Sequence, residues 1–247
     1  MTLVKERNIS EHPPEDVIFP EGDLYSNEPP VETHLHLQQI LLLLKCLDWL
    51  WRERTDYFAS GNLTIYYSSR QRKSEDFRGP DFFVVLGTEK TPRKSWVVWE
   101  EDGKYPNIII ELLSKSTAAI DRGLKKQLYQ DIFRTPDYFW FDPDTLEFAG
   151  FRLLDSEYEA IAPNESGYLW SKQLGLYLGV FNGQLRFFTP AGELVNTPEE
   201  SAETERHQKE LALAQAETER QQKQLALEKV AQLSAKLQEL GIDPDSL

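Results

Sequence analysis

Only one cysteine, Cys46, occurs in 247 residues, so no intrachain disulfide can form and no cysteine-based zinc site fits. It lies in the apolar run Leu41-Leu-Leu-Leu-Lys-Cys-Leu47, where nothing activates it as a nucleophile, and it reads as a buried structural thiol in a reducing compartment. Long hydrophobic runs are missing too. The most apolar stretch is cut by Lys45 and Asp48 well short of the ~20 residues a membrane-spanning helix needs, and no secretory leader is visible. A cytoplasmic chain without membrane contact is expected. Positive charge is scarce: 27 Lys and Arg face 41 Asp and Glu, a formal net charge of −14. That balance excludes a protein that coats nucleic acid by bulk attraction.

Apolar content is sufficient for a core, at 40% hydrophobic and 12% aromatic residues. Residues 1–30 carry five prolines among acids and suit an extended arm. From about Val31 to Arg54, Leu37, Ile40, Leu41, Leu44, Leu47 and Trp51 recur at the spacing of one helix face. Short runs rich in β-branched and aromatic residues follow at Leu63–Tyr67, Phe82–Leu86, Trp96–Trp99 and Ile108–Leu113, and their near-continuous apolarity predicts strands covered on both faces. Ala118–Phe133 reads as a helix with a core-facing stripe of Leu124, Leu128 and Ile132. Tyr138–Phe141 and further aromatic strands continue to Pro190. The predicted class is α/β in the α+β sense, a mixed central sheet flanked by helices over 31–196.

Residues 197–247 differ in composition. Thr197-Pro-Glu-Glu200 has a threonine cap, proline at the first helical position and glutamate at the third, and Gly241 is a suitable stop. Between them a 14-residue unit, Ala202–Gln215, repeats as Ala216–Lys229, which equals two heptads. The apolar seam is clean only at Ala226, Val230, Leu233, Leu237 and Leu240, so a coiled coil that makes a homo-oligomer and a single exposed helix both fit.

Chemistry enters through two carboxylates in apolar surroundings. Asp81 opens Asp81-Phe-Phe-Val-Val-Leu-Gly87, and Glu111 lies inside Asn107-Ile-Ile-Ile-Glu-Leu-Leu113. An ionised carboxylate there costs several kcal/mol unless it is paired, protonated or metal-bound. A divalent ion held by two carboxylates and waters makes water nucleophilic and offsets phosphoryl charge, so the pair suggests Mg²⁺-dependent phosphodiester hydrolysis. Leu112, through its backbone carbonyl, completes the expected ligand set. Lys125 is the expected group that orients or deprotonates the attacking water, and Asp121, Lys125 and Tyr129, spaced by four, share its helix face. Blander roles exist for each: a turn cap for Asp81 after Pro80, a structural bridge for Glu111, a solvated helix lysine for Lys125. Seven basic residues from Arg70 to Lys94 bracket Asp81 and fit either a phosphate-binding rim or a solvated hairpin surface.

In order, Gly79-Pro80-Asp81-Phe-Phe-Val-Val, Trp96-Val-Val-Trp-Glu-Glu, Ile109-Ile-Glu111-Leu-Leu-Ser-Lys-Ser-Thr117, Asp121-x3-Lys125-x3-Tyr129 and Asp137-Tyr-Phe-Trp-Phe-Asp-Pro143 resemble the Uma-type restriction endonucleases of the PD-(D/E)XK nuclease superfamily. The likeness covers roughly Val31 to Pro190. It implies a restriction-endonuclease-like core, Asp81 and Glu111 as ligands of Mg²⁺ with Mn²⁺ as substitute, and DNA as substrate. The superfamily lysine two residues after the second acid is replaced here by Leu113, which makes Lys125 the natural substitute and Lys115 its competitor. Some superfamily members carry a polar group on the first helix, where Glu32, His34 and His36 stand in this chain, and His36 is the preferred auxiliary residue. A catalytically silent nuclease fold that assembles through its C-terminal helix is the alternative to an enzyme.

Overall fold

The computed structural model describes residues 33–68, 70, 76–114 and 121–239. The N-terminal arm, Glu32, Lys115, the expected helix start at Ala118, Leu240 and Gly241 lie outside the described residues. The chain divides into two compact units, Met1–Val195 and Asn196–Leu247.

In the first unit, α1 (His34–Leu50) precedes β1 (Tyr57–Ser60), β2 (Ile65–Tyr66), β3 (Phe77–Arg78), β4 (Phe82–Leu86), β5 (Trp96–Val97) and β6 (Ile108–Leu112). A helical segment, α2, follows as π-helical Asp121–Lys125, α-helical Lys126–Leu128 and π-helical Tyr129–Phe133. Then come β7 (Asp137–Phe141), β8 (Phe148–Leu154), β9 (Glu157–Ala160), β10 (Leu169–Ser171), β11 (Leu176–Phe181) and β12 (Gln184–Phe188). The main sheet runs β1-β4-β6-β7-β8-β9 and is antiparallel except for β6 and β7. Parallel neighbours need a crossover, and α2 lies within the connection between them. Two smaller sheets, β10-β11-β12 and β3-β2-β5, complete the unit.

Side chains alternate across the central strands, so each face of the main sheet builds its own core. Phe82, Val84, Ile108, Ile110 and Phe139 belong to one cluster with Ile40, Leu43 and Leu47 of α1 and with Leu178 and Phe187 of the β10–β12 sheet. Phe83, Val85, Ile109, Tyr138 and Trp140 belong to the other, with Tyr129 and Phe133 of α2 and Ile65 and Trp96 of the small sheet. Every residue of β6 and of β7 is buried, as near-continuous apolarity predicts. Gly61 allows close approach at the start of β4: a Cβ there would lie 2.9 Å from the Asp81 carbonyl and would collide with Ile40.

Two helix faces differ from expectation. In α1, Leu37 and Leu41 are 42% and 40% exposed, whereas His36, Gln39, Leu43 and Cys46 are buried with Ile40 and Leu47. Positions 40–44 are all apolar, so periodicity cannot choose among faces. Polar anchors choose instead: Gln39 donates to the Leu185 carbonyl at 2.8 Å and accepts the Leu185 N–H at 3.0 Å. In α2, Leu124 and Ile132 are 71% and 50% exposed, and the buried residues are Tyr129 and Phe133. The π-helical turns alter the face a regular helix would present, and the two aromatic rings pack with each other at 5.2 Å between centroids. The strand Tyr57–Ser60, which pairs with β4, was not among the expected runs.

The second unit holds α3 (Pro198–Glu239), a 42-residue helix. Its start is a capping box: the Thr197 hydroxyl accepts the Glu200 N–H at 3.2 Å, and a Glu200 carboxylate oxygen accepts the Thr197 N–H at 2.8 Å. Leu211, Leu213, Leu225, Leu227, Val230 and Leu233 are all more than half exposed.

Candidate active site

The antiparallel register of β4 and β6 pairs Phe82 with Ile110, so Asp81 falls opposite Glu111, and the alternation of the pleat turns both side chains to the face covered by α2. Lys125 and Tyr129, four residues apart on α2, both reach Glu111. The Lys125 Nζ donates to Glu111 Oε2 at 3.1 Å, and the Tyr129 hydroxyl donates to Oε1 at 2.6 Å. The Asp81 N–H also faces Oε2, at 3.4 Å, and Asp81 Oδ2 accepts the Leu112 N–H at 2.7 Å. Residues 81, 111, 125 and 129, distant along the chain, therefore meet at one place.

Electrostatics there is one-sided. Glu111 is fully buried, and burial pushes its carboxyl from 4.5 up to about 7, against the pull of the Lys125 ammonium. The neighbouring Asp81 carboxylate pushes the same way as burial, and the Tyr129 hydroxyl opposes it. The cation paired with Glu111 is Lys125, whose side chain is only 19% exposed.

The backbone of Leu112 is held by side chains. Leu113 N–H bonds the Phe141 carbonyl, so alternate residues of β6 face β7, and the N–H and C=O of Leu112 point the other way, toward β4. The paired register has ended by then, at Phe82 and Ile110: Pro80 has no N–H to give, and its carbonyl accepts the Asn62 N–H at 3.2 Å. Asp81 takes the Leu112 N–H, and His36 Nε2 donates to the Leu112 carbonyl at 3.1 Å. His36 is buried, and its Nδ1 lies 2.7 Å from the Thr33 hydroxyl that caps α1.

Asp81, Glu111, Lys125, Tyr129, the Leu112 carbonyl and His36 are thus gathered, with His36 on the carbonyl and not on the carboxylates. The backbone of Asp121 opens α2, but its side chain is outside the described residues. Leu113, at the position of the superfamily lysine, is buried in the core. The basic cluster is not a uniform rim. Lys90 bonds Asp48 at 2.8 Å, and Arg93 is paired with Glu101. Arg72 and Lys73 lie outside the described residues. Thr33 and the role of Pro80 were missed by sequence reasoning; the spacing Thr33-x2-His36, a capping threonine ahead of a helix, is the signal that was available.

Among the described residues no group of three or more His, Cys, Asp and Glu side chains gathers around a common point. A metal here would rest on two carboxylates, a backbone carbonyl and water, the hard-oxygen set that suits Mg²⁺. The surplus negative charge on Glu111 and Asp81 fits a cation, and so does the small number of protein ligands.

No helix among the described residues is long and apolar enough to cross a membrane. No curated protein matches the chain. A crystal structure from Anabaena variabilis, described as that of a putative nuclease, is similar over 56% of this chain and 76% of its own, at 17% identity and a TM-score of 0.37. The model of the Uma2 family, described as "Putative restriction endonuclease", matches residues 5–185 and so takes in Asp81, Glu111, Lys125 and Tyr129. That span is well over half of the chain, which therefore belongs to the Uma2 family.

Proposed function

We propose that this chain is a Mg²⁺-dependent endonuclease that hydrolyses DNA phosphodiester bonds at the Asp81–Glu111–Lys125 site, with Mn²⁺ able to substitute. The observation that carries the reading is the convergence of Lys125 on the fully buried Glu111, beside Asp81. Asp81, Glu111 and the Leu112 carbonyl would hold the ion. Bound there, a divalent cation supplies a more acidic water and charge compensation on the phosphoryl oxygens.

The remaining work falls to this chain's own side chains. Tyr129 occupies Oε1 of Glu111 and so fixes the rotation of the carboxyl, which aims Oε2 toward Lys125 and Asp81. Lys125 reaches Oε2 from α2, where its ammonium can orient the attacking water, take up its proton when deprotonated, or offset charge on the phosphate. Its arrival from the following helix supports the replacement of the superfamily lysine, whose position is the buried Leu113.

Self-association is proposed for α3. Six large aliphatic side chains stand more than half exposed along it, within a 14-residue repeat that suits helix pairing. The alternative function, a silent nuclease fold that assembles through this helix, rests on the same observation.

The test is cleavage of supercoiled and linear duplex DNA, with single-stranded DNA and RNA as comparison substrates, in Mg²⁺ or Mn²⁺ by the full chain. Activity that vanishes in Asp81→Ala and Lys125→Met, with urea unfolding near that of the parent, supports the enzyme. Absence of cleavage across these substrates and ions leaves only the assembly reading.

A further inference from the structure

We infer that His36 is a positioning residue for the metal-binding carbonyl of Leu112, supplying the hydrogen bond that Pro80 cannot. The inference rests on the metal-site reading above and deepens it. Its basis is where the backbone hydrogen bonds go just beyond the β4–β6 ladder. The paired register ends at Phe82 and Ile110, the chain bends at Asp81, and Pro80 brings no N–H while its carbonyl accepts from Asn62 on the β1 side. Leu112 turns both backbone groups toward β4, and a buried carbonyl with no donor is unfavourable. The donor comes from a side chain: the carbonyl is held at 3.1 Å by an imidazole approaching from α1, on the opposite face from Lys125.

The imidazole is itself oriented. A carbonyl only accepts, so Nε2 carries the proton. The Thr33 hydroxyl already accepts the His36 N–H at 3.2 Å, and its own proton is the one directed at Nδ1, 2.7 Å away. Thr33 thereby selects the Nε2–H tautomer and caps α1 with the same oxygen. A carbonyl oxygen has two lone pairs, so the bond to His36 leaves one for a cation. Metal-binding groups held by an outer hydrogen bond of this kind lose affinity when that partner is removed, by about 10- to 100-fold.

Two measurements on the full chain test this. Mn²⁺ binding is followed by electron paramagnetic resonance of the free ion for the parent, Asp81→Asn, His36→Ala, His36→Gln and Thr33→Val, with thermal melting as a fold control. Asp81→Asn is expected to abolish binding and His36→Ala to weaken it by roughly 10-fold or more. His36→Gln, which keeps an amide donor at the same reach, recovers most of the affinity, and Thr33→Val falls between. Long-range ¹H–¹⁵N correlation of the His36 ring is expected to show a protonated Nε2 and a bare Nδ1, a readout independent of whether His36→Ala folds. Parent affinity in His36→Ala, with Asp81→Asn inactive in binding, overturns the role of His36 alone. A bare Nε2 overturns it as well. Equal binding by the parent and Asp81→Asn, or none by either, overturns the metal site and the positioning role together.

Discussion

Glu111→Gln removes a charge that the folded chain holds at a loss, and the loss has a calculable pH signature. The native carboxyl keeps its proton to about 7, while the unfolded one releases it near 4.5. Between those values the native state binds more protons, so stability falls as pH rises, by ~1.4 kcal/mol per pH unit. The interval amounts to about 3 kcal/mol, fully present as stability below pH 4.5 and gone above pH 7. Glutamine is isosteric and neutral, and its oxygen still accepts from Tyr129. The attraction of Lys125 for the ionised form is already contained in the shift to about 7, so losing it brings no separate offset. The variant should therefore exceed the parent by about 3 kcal/mol at pH 8 and by less than about 1 kcal/mol at pH 5. Urea unfolding of both proteins at pH 5, 6, 7 and 8 reads the difference directly, and the subtraction cancels the other titrating groups. A difference that stays flat across the series, or a parent that outlasts Glu111→Gln at pH 8, refutes the buried, destabilised carboxylate.

Three other outcomes follow from neighbouring contacts. Tyr129→Phe deletes a 2.6 Å donor to that carboxylate and should cost about 2 kcal/mol above pH 7 but less at pH 5, because the hydrogen bond favours the ionised form; urea titration at the two pH values checks it. Pro80→Ala frees φ beside the bend at Asp81 while the carbonyl of residue 80 keeps the Asn62 N–H, so stability should change by no more than about 1 kcal/mol, and a larger loss in urea unfolding contradicts the argument. Removal of residues 198–247 should convert an oligomer to a monomer in light scattering while metal-dependent cleavage of DNA persists; a truncated chain of unchanged size rules out assembly through α3.

What could be read in the sequence was whatever depends on pattern along a strand. Asp81 and Glu111 each bound or interrupt an apolar run, and the pleat alone, once the two strands are neighbours, turns them to the same face. Lys125 and Tyr129 were legible because a four-residue spacing keeps them together on most helical geometries, including the mixed π and α turns found here. Helix rotation was not legible. In α1 five consecutive apolar residues give no preferred face, and the choice falls to Gln39 and His36, whose partners are backbone atoms of β12 and β6. In α2 the aliphatic stripe competed with two aromatic residues whose burial is worth more, and Leu124 and Ile132 face outward while Leu128 packs partly against the core. The capping box at Thr197 was readable to the residue, because both of its hydrogen bonds are local.

Proline 80 shows why local pattern carried the acids but not their support. As a sequence feature, Pro80-Asp81 reads as a turn. It lies just past the β4–β6 ladder, where it brings no N–H toward Leu112 and turns its carbonyl to the Asn62 N–H. Two different facts therefore leave the backbone of Leu112 to side chains. The absent N–H leaves the C=O to His36, and the diverted carbonyl leaves the N–H to Asp81, which fixes one carboxylate. The point where the ladder stops thus aims the aspartate and hands the carbonyl to a side chain, and Glu111, one residue earlier, faces Asp81 by the register of the strands.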